Sequence, residues 1–124
     1  MTGKYTFKRS LRLCKKRDFQ YVYKHGKSYV DYYSILYVFK SNDEKTSRIG
    51  IAVGKKLGNA VVRNRIKRLM REVYRHNTFK IKNGFDLIWI ARRPLVKSNI
   101  NIFNKSFKRI FDKAKIFIDE KDSD

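Results

Sequence analysis

The chain has 124 residues, one proline, and 31 Lys plus Arg against 11 Asp plus Glu, for a formal charge of +20. That length suits a single domain over residues 1–124, and the nine Phe and eight Tyr supply enough apolar area for an interior and exclude wholesale disorder. No apolar run approaches the roughly 20 residues needed to cross a bilayer, and MTGKYTFKRSLRLCKK at the start lacks a signal-peptide apolar region, so no membrane role and a cytoplasmic location are expected.

In chain order, Phe19, Val22 and Tyr23 sit at i, i+3 and i+4 before Gly26, which predicts a first helix from about Lys16 to His25. Tyr29 to Lys40, YVDYYSILYVFK, is dense in aromatic and β-branched residues. With Ser41–Lys45 as a polar turn and Arg48 to Gly54, RIGIAVG, as a second run, it reads as an antiparallel pair. Ile35, Tyr37 and Phe39 fall on one face of the first strand, Leu36 and Val38 on the other. Gly58–Asn59 breaks the pattern, Asn59 caps a helix running to about Asn77, and Lys82-Asn83-Gly84 forms its exit turn. Phe85 to Ala91, FDLIWIA, is a short apolar run of the buried-strand type, ended by Arg92-Arg93-Pro94. From Ser98, the positions Ile100, Phe103, Phe107, Ile110, Phe111, Ala114, Phe117 and Ile118 recur at helical spacing and predict an amphipathic last helix, with a frayed tail at Asp119–Asp124. The order α-β-β-α-β-α describes an α+β fold, a small single-domain α/β sandwich with its core at about residues 11–118.

The most charged segment is KKLGNAVVRNRIKRLMREVYR, residues 55–75, with eight cations and one carboxylate. At about 100° per residue Val62, Ile66, Leu69 and Val73 share a narrow arc with Met70 beside it, a stripe that faces the core. Arg63, Asn64, Lys67, Arg68, Arg71 and Arg75 fall opposite, and Glu72 can pair with Arg68 at i, i+4. A solvated helix face normally mixes signs. Arginine forks bidentately onto phosphate and stacks on bases, so a one-sign ridge rich in Arg suits a polyanion, and the amides of Ala60, Val61 and Val62 beside Lys55, Lys56 and Gly58 offer a further phosphate seat. A charge of +20 that repels itself points the same way, and without a membrane signature the polyanion is nucleic acid. DNA reading is the weaker option, because a strand rather than a short helix precedes the basic helix.

Catalytic groups are missing from the pattern. There is no paired carboxylate in an apolar setting, no Ser/His/Asp set and no metal-ligand spacing around His25 or His76. Cys14 is the sole cysteine, which excludes an intramolecular disulfide and a cysteine-built metal site.

KKLGNAVVRNRIKRLMRE, with its Arg63-Asn64-Arg65 triplet, resembles the signature of the bacterial ribonuclease P protein subunit, and the similarity extends to RDFQYVYKHGKS upstream and GFDLIWIARR downstream. The resemblance implies that the chain binds the catalytic RNA of ribonuclease P and precursor tRNA, and assists removal of the 5′ leader. Catalysis would reside in RNA-bound Mg2+, with no catalytic or metal-binding side chain in this chain and no obligate protein partner. It assigns Lys55, Lys56, Asn59, Arg63, Asn64, Arg65, Lys67, Arg68 and Arg71 to the catalytic RNA, and Phe19, Tyr23 and Tyr37 to a cleft for the single-stranded leader. Taken alone, those three aromatics read as packing of the first helix onto the sheet. The resemblance also implies a left-handed β-α-β crossover, against the usual right-handed rule. Two other classes share parts of the pattern: a ribosomal or other structural RNA-binding protein, which needs no aromatic cleft, and a protein-only nuclease, whose clustered carboxylates are not seen.

Overall fold

The computed structural model describes residues 11–41 and 45–118. The middle of the expected Ser41–Lys45 turn, residues 42–44, and the tail Asp119–Asp124 lie outside the described residues. A helix α1 (Lys16–His25) leads into β1 (Lys27–Val30), β2 (Ser34–Lys40) and β3 (Arg48–Ala52); then come α2 (Ala60–His76), β4 (Phe85–Ala91) and α3 (Ile100–Lys113). The α-β-β-α-β-α order holds, with the first aromatic run folded into a hairpin. Asp31 makes that fold: its carboxylate oxygen accepts from the amides of Tyr33 and Ser34, both at 2.9 Å, the side-chain turn that Asp favours.

The sheet order is β1-β2-β4-β3. The expected antiparallel pair between the first run and RIGIAVG is therefore wrong, because β4 lies between them, antiparallel to β2 and parallel to β3. The physical reason is burial. Leu87, Ile88 and Trp89 are fully buried on alternating faces, so FDLIWIA fits only the interior of the sheet, whereas β3 carries the half-exposed Arg48 and takes the edge. Arg48 also fixes the parallel register, donating from Nε and Nη2 to both carboxylate oxygens of its partner Asp86 at 2.9 and 2.8 Å.

One face of the sheet (Leu36, Ile49, Leu87, Trp89) packs against Ile66, Met70, Val73 and Tyr74 of α2 and Phe103, Phe107, Ile110 and Phe111 of α3. On the opposite face α1 places Val22 with Leu13 and Ile88, flanked by the half-buried Phe19, Tyr37, Phe39, Ala52 and Ile90. The expected division of β2, with Leu36 and Val38 against Tyr37 and Phe39, is thus observed. The two faces differ in cover: two long helices seal one and a ten-residue helix part-covers the other.

The helix bounds follow their stop signals. Gly26 ends α1 by turning to extended backbone while its amide still donates to the Val22 carbonyl, and a Cβ there would stand 2.6 Å from that oxygen. Asn59 caps α2 and Asn99 caps α3, their side chains accepting from the amides of Val62 (3.0 Å) and Ile102 (3.1 Å). The last helix is shorter than its periodicity suggests. The chain leaves it through Lys115 at φ 59°, and Phe117 bridges Ile81 in an antiparallel contact instead of continuing the helix. Phe117 still meets Phe107 and Phe111, at centroid separations of 5.6 and 6.2 Å, so the apolar spacing survives after the helix has stopped.

Candidate nucleic-acid interface

The basic surface starts at the end of β3. Lys55 and Lys56 stand exposed on a single 3-10 turn, Lys55–Leu57, and Gly58 then adopts φ 152° directly against Val62, where a Cβ would approach to 2.8 Å. Only glycine fits that corner. The side chain of Asn59 occupies the Val62 amide, so one of the three amides expected to meet phosphate is already satisfied within the protein. Asn59 thus serves first as the helix cap.

Along α2 the buried stripe is wider than the sequence reading: Met70 lies at its centre and Tyr74 joins it, both at most 2% exposed, while Val62 and Leu69 flank it half-buried. That width draws Arg63 and Lys67 to the border of the stripe, half-buried, while Asn64, Arg65, Arg68 and Arg71 stand exposed. Arg63 leans back to donate from Nε to the Gly58 carbonyl (3.1 Å), bracing the corner. Arg65 donates to the carbonyls of Val96 and Ser98, each at 3.3 Å, tying α2 to the loop before α3. A guanidinium has five N–H donors, so each of these arginines keeps others for a ligand. The side chains of Asn64, Lys67, Arg68 and Arg71 have no protein partner among the described residues. Glu72 does not pair with Arg68 as the i, i+4 spacing suggested. It accepts from Arg75 and lies 3.0 Å from His76 Nε2, toward the C-terminal end of the helix. Burial pushes its carboxyl up, but the hydrogen bonds and charges of Arg75 and His76 outweigh this and hold it below the usual carboxylate value. Because Glu72 is spent on that end, the middle of the ridge stays purely cationic.

The structure brings Phe19, Tyr23 and Tyr37 together on the thinly covered face of the sheet. Tyr23 stacks edge-on against Tyr37 with centroids 5.0 Å apart, and Phe19 lies 6.4 Å from Tyr23. Tyr21 and Phe39 form a second edge-on pair at 5.1 Å beside them. Burial, then the neighbouring Tyr37, raises the Tyr23 hydroxyl above its ordinary range, so the group is a neutral donor and acceptor at physiological pH. With Tyr23 40% exposed and Phe19 and Tyr37 half-buried, the three rings pack on the sheet and still offer edges and faces to solvent.

Three contributors escaped the sequence reading. Gly50 on β3 is the seat of Phe19, since a Cβ there would lie 2.4 Å from the ring. A glycine inside a strand pattern is the signal for such close approach. Arg48 reaches Asp18 of α1 at 3.6 Å as well as Asp86, and so holds the start of α1 over the sheet. Arg93 donates to the Lys56 carbonyl at 3.2 Å and adds a cation beside the 3-10 turn. Among the described residues no group of three or more His, Cys, Asp or Glu is assembled that could hold a metal ion, and no helix is long and apolar enough to cross a membrane.

Comparison with known proteins gives the family and the fold. The family model described as Ribonuclease P matches residues 7–115. The chain is 42% identical over 113 residues to the ribonuclease P protein component of Clostridioides difficile, covering 90% of this chain and 98% of that one. It is 50% identical over 86 residues to the corresponding protein of Clostridium novyi, covering 68% and 76%. The structure of the Staphylococcus aureus RNase P protein superposes with a TM-score of 0.81 at 36% identity, over 87% of this chain and 98% of that one. The Thermotoga maritima RNase P protein gives 0.71 at 34% identity, over 80% and 94%. The chain belongs to the ribonuclease P protein family, the protein components of a tRNA-processing endoribonuclease.

Proposed function

We propose that this chain docks on the catalytic RNA of ribonuclease P through α2 and its preceding turn, and holds the 5′ leader of precursor tRNA against α1 and β2. The observation that carries this reading is the separation of two unlike surfaces by one sheet. A cationic ridge, whose Asn64, Lys67, Arg68 and Arg71 have no partner among the described residues, lies on the α2 side, and the Phe19–Tyr23–Tyr37 cluster lies on the other. Lys55, Lys56, Asn59, Arg63 and Arg65 extend the ridge at its N-terminal end. Cations neutralise the ribozyme's phosphates without reading sequence, at a salt cost of about 0.7–0.9 log units of affinity per decade of salt for each contact. Stacking on aromatic rings, worth about 1–3 kcal/mol per base, tolerates any leader sequence, as a subunit serving many precursors requires.

In this reading the scissile bond is handled by the RNA. Magnesium ions bound mainly by RNA supply charge neutralisation and an activated water there. The protein's own residues bind and orient: the ridge fixes the chain on the ribozyme, and the rings favour a precursor, which has a leader, over a mature tRNA, which does not. The neighbouring cations lower RNA repulsion where the ions sit. Precursor cleavage by the cognate RNA at low magnesium should therefore accelerate when the full chain is added, and precursor affinity should rise with leader length. No acceleration at low magnesium overturns the assignment, and acceleration with no dependence on leader length leaves a purely structural RNA-binding role.

A further inference from the structure

A second cationic recess lies at the far end of α2, away from both surfaces above. It is an open cavity of about 500 Å³ lined by Asn77, Lys80, Lys108, Arg109, Asp112 and Phe117. Three segments build it: the turn after α2, the outer face of α3, and the strand-like stretch that follows Lys115. Hydrogen bonds lock these together, from Lys82 N to the Ile116 carbonyl (2.9 Å) and from Ile118 N to the Lys80 carbonyl (2.8 Å). Asn77 Nδ2 donates to the Val73 carbonyl at 2.7 Å, and Phe117 rests on Phe107 and Phe111. The walls are therefore preformed.

The lining has a direction of charge. Lys80, Lys108 and Arg109 have no ion-pair partner among the described residues, and Asp112 makes none either. Next to the lining Lys80, Phe79 is 73% exposed, and the Lys80 ammonium lies 5.6 Å from its ring centroid. A large ring left in water beside three cations that have no ion-pair partner among the described residues is the composition of a single-stranded nucleic-acid platform, in which a base stacks while phosphates meet the cations. An acidic peptide would use the cations but not the flat exposed ring. The Asp112 carboxylate opposes a bare anion, yet accepts readily from a ribose 2′-hydroxyl, the group that distinguishes RNA. The cavity volume falls in the range of about 300–1,000 Å³ usual for small-ligand clefts, room for one nucleotide.

We propose that this recess is a second single-stranded RNA site, with Phe79 stacking a base, Lys80, Lys108 and Arg109 holding its phosphates, and Asp112 accepting from a 2′-hydroxyl. The 17 residues of α2 place it about 25 Å from the Lys55–Asn59 turn, at about 1.5 Å rise per residue, and on the sheet face opposite the aromatic cleft. The chain would then grip RNA at three separate places.

The test uses the full chain and a pentauridylate carrying one 4-thiouridine, photo-crosslinked and mapped by peptide mass. Apart from the α2 ridge, crosslinks are expected in two regions, residues 19–37 and residues 77–117. The double variant Phe79→Ala, Arg109→Ala should lower the second by about tenfold, the scale of losing one stacked base, and leave the first unchanged. Crosslinks in the first region alone overturn this site while leaving the leader cleft standing; crosslinks in the second alone do the reverse. Displacement of the second crosslink by polyglutamate as readily as by unlabelled pentauridylate makes the recess an acidic-peptide site and overturns the RNA assignment. Both substituted side chains are solvent-facing, and an unchanged melting temperature for the variant separates lost binding from lost folding.

Discussion

At the scale of single residues, the aromatic cleft depends on a residue with no side chain. Gly50 lets the tip of the Phe19 ring reach β3, and a methyl group added there would meet the ring at 2.4 Å. Since the ring can swing where backbone cannot, Gly50→Ala should displace Phe19 rather than unfold the sheet. The expected result is loss of about 1 kcal/mol or more of leader stacking, read as a weakened preference for long-leader over short-leader precursors. A variant that keeps the full preference would show that Phe19 does not touch the leader. Phe19 and Tyr23 were legible in the sequence as an i, i+4 pair, and Tyr37 as one face of a strand. Gly50 was not, because nothing local says which ring an interior glycine will face. Asn59 was read correctly as a cap, and its cap bond to Val62 is what removes an amide from the phosphate seat expected beside it.

At the scale of elements, the helices were legible and the strand pairing was not. The stripe of Val62, Ile66, Leu69 and Val73 follows from local periodicity, and the Asn caps announce both long helices. Strand adjacency is a long-range matter. RIGIAVG follows the first aromatic run across a short polar stretch of sequence, which favours a hairpin, but FDLIWIA outcompetes it for the interior of the sheet by being apolar on both faces. The last helix was overextended for a related reason, since Phe117 continues the apolar spacing through a bridge rather than a helical turn. Arg48 joins three elements, β3, β4 and α1, through Asp86 and Asp18. Arg48→Ala should destabilise the fold by about 1–2 kcal/mol, the range of hydrogen bonds to charged groups reduced for partial exposure, measured by urea denaturation. It should also speed amide exchange in α1 more than in α3. Equal exchange in the two helices would deny Arg48 its role in seating α1.

At the scale of the whole molecule, +20 on 124 residues makes salt act in opposite senses on folding and on binding. Screening relieves self-repulsion in the free chain, so its melting temperature should rise with added potassium chloride. The same salt should weaken catalytic-RNA affinity steeply, and a short polyanion should replace salt in stabilising the free chain through mass action. A melting temperature that falls with salt would mean that the ridge and the recess are already neutralised within the fold. The sheet order has a consequence for how the chain comes to be folded. The interior strand β4 is the last to be made, so β2 and β3 each expose an unpaired edge until residue 91 is available to fill the gap between them. At about 5–20 residues per second of synthesis, the N-terminal half waits seconds with two open edges and a growing positive charge. The repulsion that burdens the finished molecule then keeps nascent copies apart, so the cations of the α2 ridge also guard an edge-exposed intermediate against aggregation.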